Sequence, residues 1–172
     1  SWDLEKLTEI INEQNLNPKY IVNTHWHDDH TRGNEDLAKE LSVKIVQHSA
    51  SQLKNDLTVS DGDSIKFGCS ELAVYHTPGH SKDSICLVGD GKIFSGDTLF
   101  VGNCGRIDLP GGSARELYHS LSDVIANLSD DLVLYPGHDY GSSSTSTIGK
   151  EKQTNPVMQK MSENEFVERM GG

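Results

Sequence analysis

The chain has 172 residues, of which 34% are hydrophobic, and its 26 acidic and 15 basic residues give a formal net charge of −11. This length fits one domain, and the negative charge, with no opposing Lys/Arg cluster, excludes a nucleic-acid surface. The sequence contains no run of 18 apolar residues of the kind that crosses a membrane as a helix. Residues Ser1–Glu5 lack the basic and apolar regions of a signal peptide.

The first part of the chain predicts alternating helices and strands. Apolar residues at helical spacing predict a helix over residues 3–15, which Asn17-Pro18 ends. The apolar run 20–22 predicts a buried strand, a helix follows at about 33–41, and residues 43–46 predict the next strand. This strand–helix–strand order is typical of a parallel pair.

The middle of the chain predicts short strands separated by Gly and Asp turns. These strands cover residues 64–67, 71–76, 84–88 and 92–95. Asp90-Gly91 lies between two apolar runs and predicts a tight hairpin. The glycine-rich segment 98–112 predicts a long loop that connects the strands to the C-terminal part.

The C-terminal part predicts two capped helices and one strand. Ser113-x-x-Glu116 is a capping box that opens a helix. The apolar face of that helix consists of Leu117, Leu121, Val124, Ile125 and Leu128. Residues 132–135 predict the last strand, residues 142–147 a Ser/Thr-rich loop, and Ser162-x-x-Glu165 the cap of a final short helix.

The cysteines point to a reducing environment. The chain contains Cys69, Cys86 and Cys104, an odd number without a C-x-x-C pair. A disulfide framework is therefore not expected, and the sequence favours a cytoplasmic location. A homo-oligomer is left open.

Residues 24–30 read THWHDDH and place three histidines and two aspartates within six positions. In an extended segment, side chains at positions i and i+2 point the same way, so His25 and His27 can face one metal ion. Asp29 and His30 lie past a turn and can face a second position. We predict a structural role for Asp28, which either caps the next helix or orients a ligand.

Further polar residues follow other predicted strands. His80 and His138 each come after a Pro-Gly pair at the end of a strand, and Asp97 follows Ser95-Gly96. Singly, each is equally consistent with a turn residue, but strand ends on one sheet edge can converge. Imidazole and carboxylate together suit zinc, iron or manganese, not calcium. His48, His76 and His119 have no partner motif and are predicted to be ordinary surface or core histidines.

The order of these motifs resembles the metallo-β-lactamase superfamily. The pattern H-x-H-x-D-H, a downstream His, SGDTLF and YPGHDYG occur in that order. GDTLFVGNCGRIDLPGG and YPGHDYGSSSTSTIGKEKQTNP resemble the branch of glyoxalase II (hydroxyacylglutathione hydrolase) and persulfide dioxygenase, and the match runs from about residue 1 to 160. This resemblance implies an α+β fold, the αββα sandwich, as a single domain over residues 1–172.

One departure concerns the N-terminal end. Superfamily members usually begin with a β-hairpin region ahead of the first helix, and this chain starts where that region would have finished. We therefore expect a sandwich that lacks its N-terminal strands, with apolar sheet surface and an unpaired strand edge left uncovered.

The resemblance also implies ligand sets. His25, His27 and His80 would form one metal site, Asp29, His30 and His138 a second, and Asp97 would bridge them. Two zinc ions are the expected cofactor, with iron or manganese as alternatives. Two such ions, about 3.5–4 Å apart, can share a hydroxide nucleophile. Asp29 is predicted to be catalytic as well as a ligand.

Two enzymatic functions follow from the resemblance. The first is hydrolysis of a small thioester such as S-lactoylglutathione. The second is oxidation of glutathione persulfide by one iron ion held by His25, His80 and Asp97. Arg106 and Tyr140 are predicted to bind the substrate, because Arg106 could pair with a carboxylate. Arg106 is equally consistent with a residue that keeps a loop solvated, and Tyr140 with a residue that serves packing. Cys104 is predicted to be a small loop residue and not a nucleophile.

Some features separate these functions. Cys104-Gly105-Arg106 and His138-Asp139-Tyr140 resemble the dioxygenase more, and the short segment after Tyr140 argues against a full glyoxalase II. A degenerate binding domain is a third hypothesis, which the seven occupied ligand-type positions disfavour. A nuclease is a fourth, which the acidic charge disfavours. The expected partner is a glutathione-like thiol ester or persulfide, without nucleic acid or membrane.

Overall fold

The computed structural model describes residues 4–171, and its elements largely follow the predicted order. The helices are α1 (Leu4–Glu13), α2 (Asp28–Thr31), α3 (Asn34–Leu41), α4 (Ala114–His119), α5 (Ile148–Thr154) and α6 (Glu163–Arg169). The strands are β1 (Tyr20–Val22), β2 (Lys44–His48), β3 (Leu57–Val59), β4 (Ser64–Phe67), β5 (Ser70–His76), β6 (Ile85–Gly89), β7 (Lys92–Gly96), β8 (Val133–Pro136) and β9 (Ser146–Thr147). The predicted helix start at residue 3 lies outside the described residues.

Local signals account for several of these elements. Asp90 and Gly91 both have positive φ, 48° and 71°, as a type I′ turn requires, and the flanking strands β6 and β7 are antiparallel. Ser162 and Glu165 form a reciprocal capping box at α6, and the Ser113 side chain accepts a hydrogen bond from the Glu116 N–H at α4. The parallel pair of β1 and β2 is confirmed.

The helix predicted after Ser113 is present, but only its first part, α4, is a regular α-helix. After α4 the chain forms a π-helical turn over Ser120–Val124 and a 3₁₀ turn over Ile125–Asn127. Leu117, Leu121 and Ile125 nevertheless remain buried. Packing of these side chains on the sheet therefore outweighs the preference for a uniform helix.

Four short elements were not predicted, namely α2, β3, β9 and α5. The two strands have three and two residues, too few for a visible alternation. β9 occupies the end of the segment 142–147 that was predicted to be a loop. Asp28 also needs correction, because it is the first residue of α2 and its carboxylate pairs with Arg32. The residues at the N-caps of α2 and α3 are His27 and Gly33, so Asp28 caps neither helix.

Two sheets pack face to face between two layers of helices, so the predicted α+β sandwich is confirmed. One sheet has the order β1-β2-β3 and the other β4-β5-β6-β7-β8-β9. Strand β6 is apolar throughout because both of its faces are covered. Ile85 and Leu87 face the first sheet, whereas Cys86 faces the helices. The assignment of residues 1–172 to one domain stays a prediction.

The expected uncovered sheet surface is present among the described residues. Phe94 on β7 and Tyr135 on β8 stack with ring centroids 5.5 Å apart, and each is 37% exposed. They lie on the strand face opposite to Ile93 and Leu134, which pack against the helices. Strand β1 stands at the edge of its sheet. No helix within residues 4–171 combines the length and the apolar character that crossing a membrane requires.

Candidate metal centre

Four strands bring polar residues to the same end of the sandwich. THWHDDH begins just after β1, the loop that contains His80 follows β5, Asp97 follows β7, and His138 follows β8. Backbone hydrogen bonds join these loops, from the Ile85 N–H to the Thr24 carbonyl and from the Gly137 N–H to the Gly96 carbonyl, each at 2.8 Å. The predicted convergence of strand ends is therefore observed.

His25, His27 and His80 form a buried group whose ring nitrogens lie within 4.8 Å of one another. His27 Nδ1 is 2.8 Å from His80 Nε2. His80 Nδ1 is 2.7 Å from the Arg106 carbonyl oxygen, which can only accept, so Nδ1 carries the proton. The lone pair of His80 Nε2 consequently points into the group, as ligation requires.

Asp29, His30 and His138 form a second, more exposed group beside the first. His30 Nε2 and His138 Nε2 are 3.2 Å apart, and His138 Nε2 is 3.2 Å from Asp29 Oδ2. Asp97 lies between the groups: its Oδ1 is 3.3 Å from His30 Nε2, and its Oδ2 is 3.6 Å from His80 Nε2. All seven residues predicted as ligands therefore lie together.

The environment sets the charge state of the group. Burial, together with the neighbouring His30, lowers the pKa of His25 to about 2, and burial followed by His80 lowers the pKa of His27. Burial on its own would raise the pKa of Asp97, but His30 and His25 lower it more strongly, and the net shift is downward. Neutral imidazoles and an ionised carboxylate are the forms that bind a metal ion.

Orphaned polar atoms show that a metal ion would fit here. His25 is 1% exposed, yet His25 Nε2 has no hydrogen-bond partner among the described residues, and neither does His27 Nε2. A buried lone pair without a partner is destabilising by about 1–3 kcal/mol. Five imidazoles and two carboxylates match the ligand preference of zinc, iron or manganese. The donor set therefore fits such an ion.

The predicted substrate residues Arg106 and Tyr140 line a cavity of about 350 Å³ that also contacts the metal ligands. The Arg106 guanidinium binds Asp108 through two hydrogen bonds of 2.5 Å and holds the pKa of that carboxyl at about 2. The Tyr140 ring stacks on His138 at 4.8 Å with planes only 7° apart. Both side chains are exposed toward solvent, so a substrate could reach them.

Other residues behave differently. Burial raises the pKa of the Cys104 thiol to about 12, which agrees with the prediction that it is not a nucleophile. His48 and His76 stack on each other, and His119 pairs with Asp123 and Glu163. These three histidines belong to none of the ligand groups found among residues 4–171.

Sequence reasoning missed Phe100, which forms a wall of the cavity. Its ring meets those of His138 and Tyr140 edge to face, with centroids 6.0 and 5.5 Å away. The only sequence signal was its place in SGDTLF, three residues after Asp97. Glu151 and Asn155 were also missed, although both lie in the quoted segment STIGKEKQTNP, and neither contacts a ligand.

A family model and curated relatives match most of this chain. The model of the metallo-beta-lactamase superfamily matches residues 1–138. The chain is 38% identical over 166 residues to the human mitochondrial persulfide dioxygenase ETHE1, covering 95% of this chain and 65% of that protein. It is 39% identical over 137 residues to a hydroxyacylglutathione hydrolase of Tolumonas auensis, covering 77% of this chain and 52% of the relative.

A solved structure matches over nearly the whole chain. ETHE1 from Myxococcus xanthus superimposes with a TM-score of 0.89 at 32% identity, covering 99% of this chain and 76% of that one. The chain thus spans less than two thirds of the length of both curated relatives.

Proposed function

The chain belongs to the metallo-beta-lactamase superfamily, and from this premise we propose that it is a metal-dependent persulfide dioxygenase acting on a small glutathione-type thiol. The main support is the group of buried histidines beside the Asp97 carboxylate, in which His25 Nε2 and His27 Nε2 have no hydrogen-bond partner among the described residues. The similarity to persulfide dioxygenases extends over more of the chain than the similarity to the Tolumonas hydrolase. This ranking reverses the one drawn from the sequence, where the hydrolase came first.

In this proposal His25, His80 and Asp97 hold one iron ion. The ion would supply the redox chemistry with dioxygen, and the protein would supply ligands, orientation and a shielded cavity. The Arg106 carbonyl fixes the His80 ring, so Nε2 would be free to hold the ion. His27 packs against His80 with ring centroids 4.6 Å apart and would keep that ring in place.

Arg106 and Tyr140 would bind the substrate. The Arg106–Asp108 pair is exposed, and exposed ion pairs of this kind contribute little to stability because water screens them. A substrate carboxylate can therefore replace Asp108 and form the same two-point contact. Phe100 and Tyr140 present apolar faces beside it and would confine the sulfur end near the ligands.

A thioester hydrolase is the second candidate, and the Asp29, His30 and His138 group favours it. A second ion there would share Asp97 with the first, and a zinc pair would polarise a thioester carbonyl and activate water. Asp29 would then be both ligand and catalytic residue. The substrate would again be a glutathione-like thiol ester.

Metal analysis combined with two activity assays separates the candidates. Protein produced without metal supplement is examined for metal identity and number, then assayed for oxygen uptake with glutathione persulfide and for hydrolysis of S-lactoylglutathione. One iron with oxygen uptake supports the dioxygenase, and two zinc ions with thioester turnover support the hydrolase. Protein that binds no metal after reconstitution contradicts both.

A paired variant sharpens the distinction. Asp29→Ala removes a carboxylate of the second group only, whereas Asp97→Ala removes the residue common to both. For the dioxygenase, Asp29→Ala keeps its iron and Asp97→Ala loses it. For the hydrolase, both variants lose an ion and thioester turnover.

Location and assembly also stay proposals. All three cysteines are free, which is compatible with the cytoplasmic location predicted from their odd number. Size-exclusion chromatography with light scattering would measure whether a homo-oligomer forms.

A further inference from the structure

A tight turn forms the tip of the loop that follows Asp97. The Phe100 N–H donates to the Asn103 carbonyl at 2.8 Å, and these two residues form an isolated β-bridge. Three backbone groups of the turn also meet partners outside it, namely the Gly102 N–H and the carbonyls of Phe100 and Asn103. In a solvent-exposed turn such groups would bind water.

Here a buried carboxylate on helix α5 takes the first of these groups. Glu151 is 1% exposed, and its Oε2 accepts a hydrogen bond from the Gly102 N–H at 2.8 Å. Its other oxygen, Oε1, accepts from Ser146 Oγ. A buried carboxylate is destabilising unless hydrogen bonds satisfy it, so this arrangement is specific and not incidental.

Asn155 takes the two carbonyls. Its Nδ2 lies 3.2 Å from the Phe100 oxygen, 3.1 Å from the Asn103 oxygen and 2.9 Å from Glu151 Oε2. Its Oδ1 accepts from the Val157 N–H, so the amide can point only one way. Asn155 is fully buried. Glu151 and Asn155 together, the turn clamp, therefore bind all three of these groups.

The clamped turn lies between two parts of the candidate metal centre. On its N-terminal side, three residues away, is Asp97. On its C-terminal side, the Arg106 carbonyl accepts the hydrogen bond that orients His80. The turn itself contributes Phe100 to the wall beside His138. A displacement of the turn would therefore move a ligand, the group that orients a second ligand, and the cavity wall.

We infer that Glu151 and Asn155 are positioning residues that fix Asp97 and His80 for metal binding through the turn at residues 100–103. The inference rests on the proposed function in that it takes these ligands to hold a metal ion. The side chains of Glu151 and Asn155 form no hydrogen bond to Asp97 or His80, so the effect acts through the turn.

Titration of the metal-free protein with Co(II) tests this inference, because the absorption spectrum of the bound ion reports its coordination geometry without any substrate. Glu151→Ala should weaken Co(II) binding by about 10- to 100-fold, the range found for groups that orient ligands, and should change the spectrum. Glu151→Gln should restore both, since its oxygen can accept from Gly102 while its amide donates to Ser146 Oγ.

Ile125→Val is the matched control, since Ile125 is fully buried but makes no hydrogen bond to the turn. It should lower Tm and leave the Co(II) spectrum and affinity unchanged. If Glu151→Ala does not fold, Asn155→Leu takes its place. Wild-type Co(II) spectrum and affinity in a folded clamp variant would overturn the inference.

Amide hydrogen exchange on the wild-type protein gives an answer without any substitution. Gly102 is exposed, so only the bond to Glu151 can protect its amide. We expect slow exchange there, and exchange as fast as in an unprotected amide would refute the clamp. A wild-type protein that protects Gly102 but binds no Co(II) would instead contradict the proposed function.

Discussion

The substitution Gly105→Ala should disable the metal centre although it adds only one methyl group. A Cβ at Gly105 would lie 2.0 Å from the Asp97 carbonyl oxygen and 2.9 Å from His80 Nδ1. Real Cβ atoms essentially never approach other atoms within 3.0 Å, so the backbones at Gly105 and Asp97 must separate by about 1 Å. The obstacle is backbone and cannot turn aside. Two predicted ligands are therefore displaced at once.

The size of the effect follows from this displacement. Overpacking of this kind is destabilising by about 1–3 kcal/mol, and a misplacement of about 1 Å at a reacting centre lowers the rate by about 100-fold. Metal affinity, measured by competition with a chromophoric chelator, should fall with the rate. Circular dichroism would confirm that the variant is folded at the assay temperature.

Gly62→Ala is the control outside this loop. Nothing lies within 4 Å of its added Cβ, and its φ of +81° brings only the strain of a left-handed backbone, about 1–2 kcal/mol. This variant should lose stability but keep its metal affinity. If Gly105→Ala binds metal as tightly as the wild type, the close approach of Asp97, Gly105 and His80 does not define the site.

Further expectations concern binding, packing and pH. Removal of the metal by a chelator should lower Tm, because an ion present at about 100 times its Kd stabilises the folded state by about 2.7 kcal/mol; an unchanged Tm would contradict a metal site. Arg106→Ala should raise KM for a carboxylate-bearing substrate and leave kcat nearly unchanged, whereas equal losses in kcat would place Arg106 in the chemical step. Phe166→Ala should lower the free energy of unfolding by about 3–5 kcal/mol in a denaturant titration, because Phe166 is fully buried in the core. The contact with Asp123, and then that with Glu163, raises the pKa of His119 above 6.5. The stabilisation by protonated His119 should therefore be complete below pH 6.5 and be lost as the pH rises through the pKa of His119 in the folded protein. The Tm difference between wild type and His119→Ala should accordingly shrink as the pH rises.

The sequence predicted much of the site because its signals are local. His25 and His27 share a face through the two-residue period of an extended chain, and His80, Asp97 and His138 each follow a strand. Capping at Ser113 and Ser162 depends on residues three positions apart. The hairpin at Asp90-Gly91 depends on two residues that tolerate positive φ. Such features can be predicted from the sequence because they depend only on residues that are close along the chain.

Other features depend on distant partners. Asp28 seemed suited to a cap, yet it pairs with Arg32 on the surface. The segment after residue 119 departs from the regular α-helix, and Leu121 and Ile125 stay buried in the core there. The strand β3 is too short to be detected by alternation, and pairing with β2 alone defines it.

By itself, the amino-acid sequence determined which side chains could hold a metal ion and the order of the strands that present them. Only the tertiary structure decided how those side chains are held. The bond from Gly102 to Glu151 joins residues 49 positions apart, and the one from His80 to the Arg106 carbonyl joins residues 26 apart. Periodicity and capping act within a few residues, whereas these bonds exist only once the sheets and helices have packed.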